Sequence, residues 1–186
     1  MSIQPTPVPH GGSFFKSNMF SILIGAISCI AWVIVFGLGM LVDSKPFRDR
    51  VASHFDPSAF FVCLIAYTPT NIFMLCLLAS IAGGCASRLV VSGAKKMLEE
   101  DAAAKPITDS QIYLVENPFA SMLRGMIVYF SFLAGVFVSG SNLLLEPTPQ
   151  GYTQAAGVIS LLSFVVGYDP TVFSNFIKVA GKMKGG

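Results

Sequence analysis

The chain has 186 residues, a formal net charge of +2, 53% hydrophobic residues and only 12% charged residues. Its mean hydropathy is +0.68. Because a soluble domain carries about 25% charged residues, this composition indicates a membrane protein. The longest polar stretch, 93–117, is too short to bury a core of its own, so we expect no separate soluble domain. Binding to nucleic acid has no support, since no basic run interleaves with aromatic residues.

Four apolar stretches are each long enough to cross a bilayer, which takes roughly 20 mostly apolar helical residues. We therefore predict an all-α integral membrane protein with four transmembrane helices and a short C-terminal amphipathic interfacial helix. The predicted spans are 18–42, 59–89, 118–145 and 152–168. The predicted connections are a polar, Pro-rich N-terminal segment over 1–17, a cytoplasmic loop over 93–117 and a cytoplasmic tail over 169–186.

Three of the predicted helices begin with an acid or amide residue directly before a proline, at Asp56, Asn117 and Asp169. Each pair predicts a helix start, because the side chain accepts a free N–H and proline has none to leave unpaired. The last pair opens a helix over Pro170–Met183, which lies along an anionic inner membrane surface or packs on the cytoplasmic end of the bundle. Shorter helices are expected within 43–58 and over 94–104.

Positive residues predict the orientation. With the N-terminus inside, the cytoplasmic side holds Lys16, Arg88, Lys95, Lys96, Lys105, Lys178, Lys182 and Lys184. The outer side then holds only Lys45, Arg48 and Arg50. The excess of positive charge on one side predicts that both termini are cytoplasmic.

Small residues recur along every span, and they let helix backbones approach closely in lipid. The candidates for helix packing are Gly25, Gly83, Gly84 and Gly135. Packing within one chain uses most of these positions, and we expect oligomerisation to use the remainder.

The polar feature deep in the second span is Thr68-Pro69-Thr70-Asn71. Proline kinks a helix and frees the carbonyl one turn earlier, near Ile65. The hydroxyl and amide groups either repair this kink and join two helices or form an ion or solute contact. Both interpretations stay open, and the absence of an acid favours the first.

A second feature is a charge pair at the inner boundary. Arg124 lies a turn or two inside the third span, and Asp169 ends the fourth. We predict that the two form an interfacial ion pair. The alternatives are that Arg124 extends to the lipid headgroups or pairs with Glu116.

The sequence contains no motif for catalysis, a metal or a cofactor. Both histidines, His10 and His54, lie outside the spans, so they cannot hold a haem within the membrane. No Walker A, HExxH or GxSxG pattern occurs. We therefore expect no enzyme activity, no catalytic residue, no metal site and no cofactor.

Three phrases carry a resemblance: Thr68-Pro69-Thr70-Asn71 followed by Leu-Ala-Ser-Ile-Ala-Gly-Gly, Asn117-Pro118…Leu123-Arg124-Gly125, and Gly167-Tyr168-Asp169-Pro170…Phe173. In these the chain resembles bacterial four-span inner-membrane proteins of unassigned function. The resemblance covers spans two to four. It implies the fold and a bacterial inner-membrane setting, and it implies no activity.

Two functions follow as hypotheses. The first is a non-catalytic subunit that contacts the lipid bilayer and oligomerises or anchors a partner protein. The alternative is an oligomeric channel or passive pore for ions or small solutes, lined by the kinked second span.

Overall fold

A computed structural model describes residues 12–100, 118–140, 144 and 148–183, and its regular structure is helical. The helices are α1 (Gly12–Leu41), α2 (Lys45–Ser53), α3 (Pro57–Ala66), α4 (Thr68–Glu100), α5 (Pro118–Val138), α6 (Pro149–Tyr168) and α7 (Pro170–Met183). Within the described residues, three stretches are long and apolar enough to cross a membrane, namely 19–41, 68–91 and 118–138. The protein is therefore a helical membrane protein in contact with a lipid bilayer.

Helix α4 forms the centre of the bundle and contacts α1, α5 and α6. Its residues Ile72, Leu75 and Cys76 are fully buried and pack with Tyr129 of α5 and Tyr152 of α6. By contrast, α1 exposes most of its large apolar side chains, as expected for a helix that faces lipid. We call the end of the bundle that carries α2 the α2 end, and the opposite end the α7 end.

The predicted second span is two helices rather than one kinked helix. Helix α3 ends at Ala66, Tyr67 adopts an extended conformation, and α4 begins at Thr68. The prediction that a separate short helix begins at residue 94 is also wrong, because α4 continues without interruption to Glu100. No proline occurs between 70 and 100, so nothing in that stretch forces the helix to end.

Three other boundaries differ from the predictions. Helix α5 ends at Val138, seven residues before the predicted end, and Gly140 follows with a positive φ of 64°, which suits a helix terminus. Helix α1 begins at Gly12, inside the predicted polar segment. Helix α6 begins at Pro149, and its first turns contain Gln150 and Thr153, so it is less apolar than the three long helices.

Two of the predicted helix caps are confirmed. The Asp56 carboxylate accepts N–H groups from Ser58 at 2.9 Å and Ala59 at 3.4 Å. The Asp169 carboxylate accepts the N–H of Thr171 at 2.8 Å. Asn117 lies outside the described residues. A further cap was not predicted: Thr148 stands before Pro149, and its hydroxyl accepts the N–H of Gly151 at 3.0 Å.

The hydrogen bonds at the Asp56 cap affect its ionisation. The Ser58 side chain donates to the same carboxylate oxygen at 2.7 Å. This bond and the backbone bond from Ser58 lower the pKa of Asp56, because both stabilise the charged form.

Glycines lie at close contacts between helices in the α7 half of the bundle, and three of the four candidate packing positions are among them. A Cβ on Gly25 would lie 3.1 Å from Cys85 Cβ, one on Gly84 would lie 2.8 Å from Ser121 Cβ, and one on Gly83 would collide with the Phe164 carbonyl. Nothing lies within 4 Å of the Cβ position of Gly135 among the described residues, so its predicted packing role stays a prediction.

Two glycines outside the predicted set also pack closely against a neighbouring helix. A Cβ on Gly167 would collide with the Ser80 carbonyl, and one on Gly125 would lie 2.7 Å from the Cys76 carbonyl oxygen. Gly83 and Gly167 therefore place the backbones of α4 and α6 in direct contact from both sides.

Candidate functional site

The break between α3 and α4 places several polar groups inside the bundle. Pro69 is the second residue of α4 and has no N–H to donate to a carbonyl of α3. The Thr70 hydroxyl reaches the Leu64 carbonyl at 2.5 Å and the Tyr67 carbonyl at 3.0 Å. The Asn71 amide donates to the Ile65 carbonyl at 2.7 Å, which is the carbonyl that the sequence predicts to be freed.

Asn71 also connects the break to two other helices. Its Nδ2 donates to the Val35 carbonyl of α1 at 2.8 Å. Its Oδ1 accepts the Tyr152 hydroxyl of α6 at 2.8 Å, and that hydroxyl lies 3.1 Å from the Phe36 carbonyl. The exposed fraction is 0% for Asn71 and 2% for Tyr152. An amide inside a membrane has to be paired in this way, and here it joins α1, α4 and α6.

Close approach of α1 makes this arrangement possible. A Cβ on Gly39 would lie 2.6 Å from Asn71 Nδ2 and would collide with the Tyr152 hydroxyl. The residue at 39 must therefore lack a side chain for the three helices to meet. Neither Gly39 nor Tyr152 was predicted as a site residue.

A cavity of about 500 Å³ opens on the α2 side of this hydrogen-bonded cluster. Its walls come from the end of α1 and the start of α2, from the break between α3 and α4, and from the start of α6. The described lining residues are Gly39, Met40, Leu41, Val42, Asp43, Ser44, Lys45, Arg48, Ala66, Tyr67, Thr68, Leu144, Thr148, Pro149 and Tyr152. Of the four residues predicted at the kink, Thr68 lines this cavity, whereas Pro69, Thr70 and Asn71 lie behind its wall.

Arg48 is held against the cavity wall by Tyr67. Its guanidinium carbon lies 5.0 Å from the centre of the Tyr67 ring, within the range of a cation–π contact. The Nε atom of Arg48 is buried and has no hydrogen-bond partner among the described residues. The one acid among the described lining residues, Asp43, uses Oδ1 to accept the backbone N–H of Lys45 at 2.9 Å.

The second predicted site lies at the α7 end. Arg124 lines a small crevice with Ser121, Tyr168 and Pro170, so it is close to the end of α6. Asp169 uses one carboxylate oxygen to cap α7. The salt bridge that the structure records within the described ranges joins Arg50 and Asp56 at 3.8 Å. The Arg124–Asp169 pair therefore stays a prediction.

Among the described residues, no three His, Cys, Asp or Glu side chains gather closely enough to hold a metal ion. The four cysteines have free thiols, with Cys76 and Cys85 buried and Cys29 exposed.

No protein-family model matches the chain, and neither a curated protein nor a solved structure shows significant similarity to it. The resemblance to bacterial four-span proteins therefore gains no support from these comparisons.

Proposed function

We propose that this protein is a non-catalytic four-span membrane module that assembles with a second copy of itself in the bilayer. Helices α1, α4 and α5 supply three of the spans. Helix α6 supplies the fourth: its 20 residues reach about 30 Å at 1.5 Å per residue, which matches the hydrocarbon core. Helix α3 packs against α1, α2 and α4.

The observation that carries the assembly proposal is an apolar groove of about 420 Å³ between α1, α4 and α6. Its floor consists of small residues, and its rim consists of larger apolar ones. The lining residues are Cys29, Trp32, Val33, Ala79, Ala82, Gly157, Ser160, Leu161 and Phe164. A floor of small residues lets another transmembrane helix approach closely, which is the main source of helix association in lipid.

Trp32 forms part of the groove rim on α1. Its ring stacks on that of Phe36, with 5.1 Å between the ring centres. An aromatic ring held in this way gives an incoming helix a fixed apolar surface beside the small residues of the floor.

A second copy is the occupant to which we commit, because twofold dimers are the commonest oligomers of soluble proteins and place the same surface on both sides. In such a dimer each copy inserts the exposed face of α1 into the groove of the other. Cys29 lies on α1, is exposed and lines the groove, so the two Cys29 thiols come close across the twofold axis.

Oxidative crosslinking in native membranes tests the assembly proposal. Copper phenanthroline should convert the wild-type protein to a disulfide-linked dimer on a non-reducing gel. The C29A variant should lose this dimer, while the matched C63A variant should keep it. A dimer that persists in C29A, or a wild-type chain that stays monomeric, would overturn the proposal. A Cys29-dependent link to a different protein would instead assign the groove to a partner that the module anchors.

The same proposal includes the orientation of the chain, with both termini in the cytoplasm of a bacterial cell and the α7 end facing inward. The α2 end carries Lys45, Arg48 and Arg50. The α7 half of the helices carries more positive residues, namely Lys16, Arg88, Lys95, Lys96, Arg124, Lys178 and Lys182, and this excess supports the orientation by the positive-inside rule. A reporter enzyme that is active only in the cytoplasm, fused after Gly186, should be active. An inactive fusion at normal expression would reverse the orientation.

The alternative function, a pore lined by the second span, has less support. A conducting path needs polar groups that face water, yet Asn71 is fully buried and both of its amide atoms are hydrogen-bonded. Of the predicted kink residues, Thr68 is the one that meets the cavity.

A further inference from the structure

We propose that the cavity at the α2 end binds a phosphate or carboxylate group, with Arg48 and Lys45 as the residues that hold it. The proposal concerns a different face of the protein from the assembly groove and does not depend on it. The cavity volume of about 500 Å³ lies within the range of small-molecule sites.

The charges on the cavity wall favour an anion. Arg48 and Lys45 contribute two positive charges, and Asp43 contributes the one negative charge among the described lining residues. Asp43 is already engaged, because its Oδ1 accepts the N–H of Lys45. One of the two cationic side chains is thus left without a compensating acid on the described wall.

The state of Arg48 points to a ligand more directly. Tyr67 fixes the guanidinium group by stacking, which lowers the entropy that is lost when an anion binds. The Arg48 Nε is buried and lacks an acceptor among the described residues. Arg48 lines the cavity, and a guanidinium group matches the two oxygens of a carboxylate or phosphate, so its guanidinium group would hold such an anion.

The backbone contributes a field of the same sign. Helices α4 and α6 both begin at the cavity wall, at Thr68 and Pro149, so both present their positive ends there. These helix ends do not make a site alone, since Thr148 already caps α6. Helix α2 also begins at the wall, at Lys45, whereas α1 and α3 place their negative ends there, at Leu41 and Ala66. Three positive ends against two negative ends leave a small positive field, which adds to the two cationic side chains.

The remaining surfaces of the cavity define its ligand further. Tyr152 and Gly39 close the inner end, and Leu144 and Met40 add apolar walls. The ligand therefore carries one anionic group near Arg48 and a small, partly apolar body. A lipid headgroup and a soluble phosphate or carboxylate compound both have this chemistry, and the cavity lies where α1 leaves the membrane, so either source can reach it.

The test uses the full-length protein in nanodiscs of zwitterionic phosphatidylcholine. Glycerol 3-phosphate serves as the soluble probe, and phosphatidylglycerol mixed into the nanodisc serves as the lipid probe. The readout is the rise in melting temperature with probe concentration, fitted to a dissociation constant. The variants are R48Q and K45Q, and the matched control is R50Q, which removes the same charge from the same helix outside the cavity lining.

We expect one of the two probes to stabilise the wild-type protein. R48Q should weaken that binding roughly tenfold to hundredfold, as expected for loss of a charge-assisted hydrogen bond. K45Q should weaken it less, and R50Q should leave it unchanged. Lys45 is exposed, so K45Q keeps the test decisive if R48Q fails to fold.

The two probes separate the sources. Stabilisation by glycerol 3-phosphate in pure phosphatidylcholine assigns the cavity to a soluble anion, and stabilisation by phosphatidylglycerol alone assigns it to a headgroup. No stabilisation by either probe would overturn the proposal. Equal losses in K45Q and R50Q would also overturn it, because they would show that general surface charge attracts the probe.

Discussion

Tyr152→Phe is the most informative single change in the cluster at the break. It removes one oxygen atom and keeps the aromatic ring, whose centre lies 5.7 Å from that of Phe36. The lost hydroxyl donates to Asn71 Oδ1 at 2.8 Å, so the change leaves a buried amide oxygen without a donor. Hydrogen bonds between membrane helices contribute about 0.6 kcal/mol on average and at most about 1.7 kcal/mol. We expect Y152F to cost about 1 kcal/mol of unfolding free energy.

Asn71→Ala should cost more, because it removes three hydrogen bonds. The Ile65 carbonyl loses the donor that compensates for Pro69, and the Val35 carbonyl loses its link to α4. At about 0.6 kcal/mol for each bond the loss is about 2 kcal/mol. The Y152F/N71A double variant should be less damaged than the two single losses together, since both changes remove the same Asn71–Tyr152 bond.

Reversible unfolding in mixed detergent micelles measures these free energies. Tyr168→Phe is the matched control, since Tyr168 is on the same helix and its side chain is partly exposed. It should change stability by less than about 0.5 kcal/mol. Strict additivity of Y152F and N71A, or a loss in Y168F equal to that in Y152F, would refute the coupling of α4 and α6 through this amide.

Three further predictions concern other parts of the bundle. Gly167→Ala should destabilise the protein by roughly 1–3 kcal/mol, because the added methyl group meets backbone, whereas Gly135→Ala should be neutral or slightly stabilising in the same unfolding assay. The stabilisation from ionised Asp56, whose pKa is lowered by folding, is present above its unfolded pKa of roughly 3.9 and is lost as pH falls through the folded value. The protection of amides at the start of α3, measured as their exchange rate relative to the unfolded rate at the same pH, should therefore fall in acid, and Asp56→Asn should remove that pH dependence. In a thermal-stability cycle, Arg124→Ala should cost about 1 kcal/mol and Asp169→Ala more, because the latter also removes a helix cap; additive losses would show that the two side chains do not pair.

The sequence predicted the helical membrane class because apolar length alone decides it. It also predicted the Asp56 and Asp169 caps, since an acid before proline acts through groups one to three residues away. It predicted the polar cluster at 68–71 for the same local reason. The break at Tyr67 in place of a kink was not predicted, because one extended residue leaves the hydrophobic pattern of the span unchanged.

What the sequence missed depends on partners far along the chain. Tyr152 looks like an ordinary interfacial aromatic until α6 is placed beside α4, 81 residues away. Gly39, Gly125 and Gly167 carry no signal that distinguishes them from Gly135, because the difference is the helix that packs against each one. The cavity likewise joins the starts of α2, α4 and α6, which only the tertiary structure brings together.

The Asn71 amide also bears on how the chain is inserted as it is synthesised. Its two donor contacts, to Val35 and Ile65, use segments that precede it, so both partners already exist when the second apolar segment leaves the ribosome. Its oxygen has to wait for Tyr152, which is synthesised 81 residues later. At 5–20 residues per second this interval is roughly 4–16 s. During that time the early helices hold a polar oxygen in or near lipid, so the insertion machinery or a water molecule has to shelter it until α6 arrives.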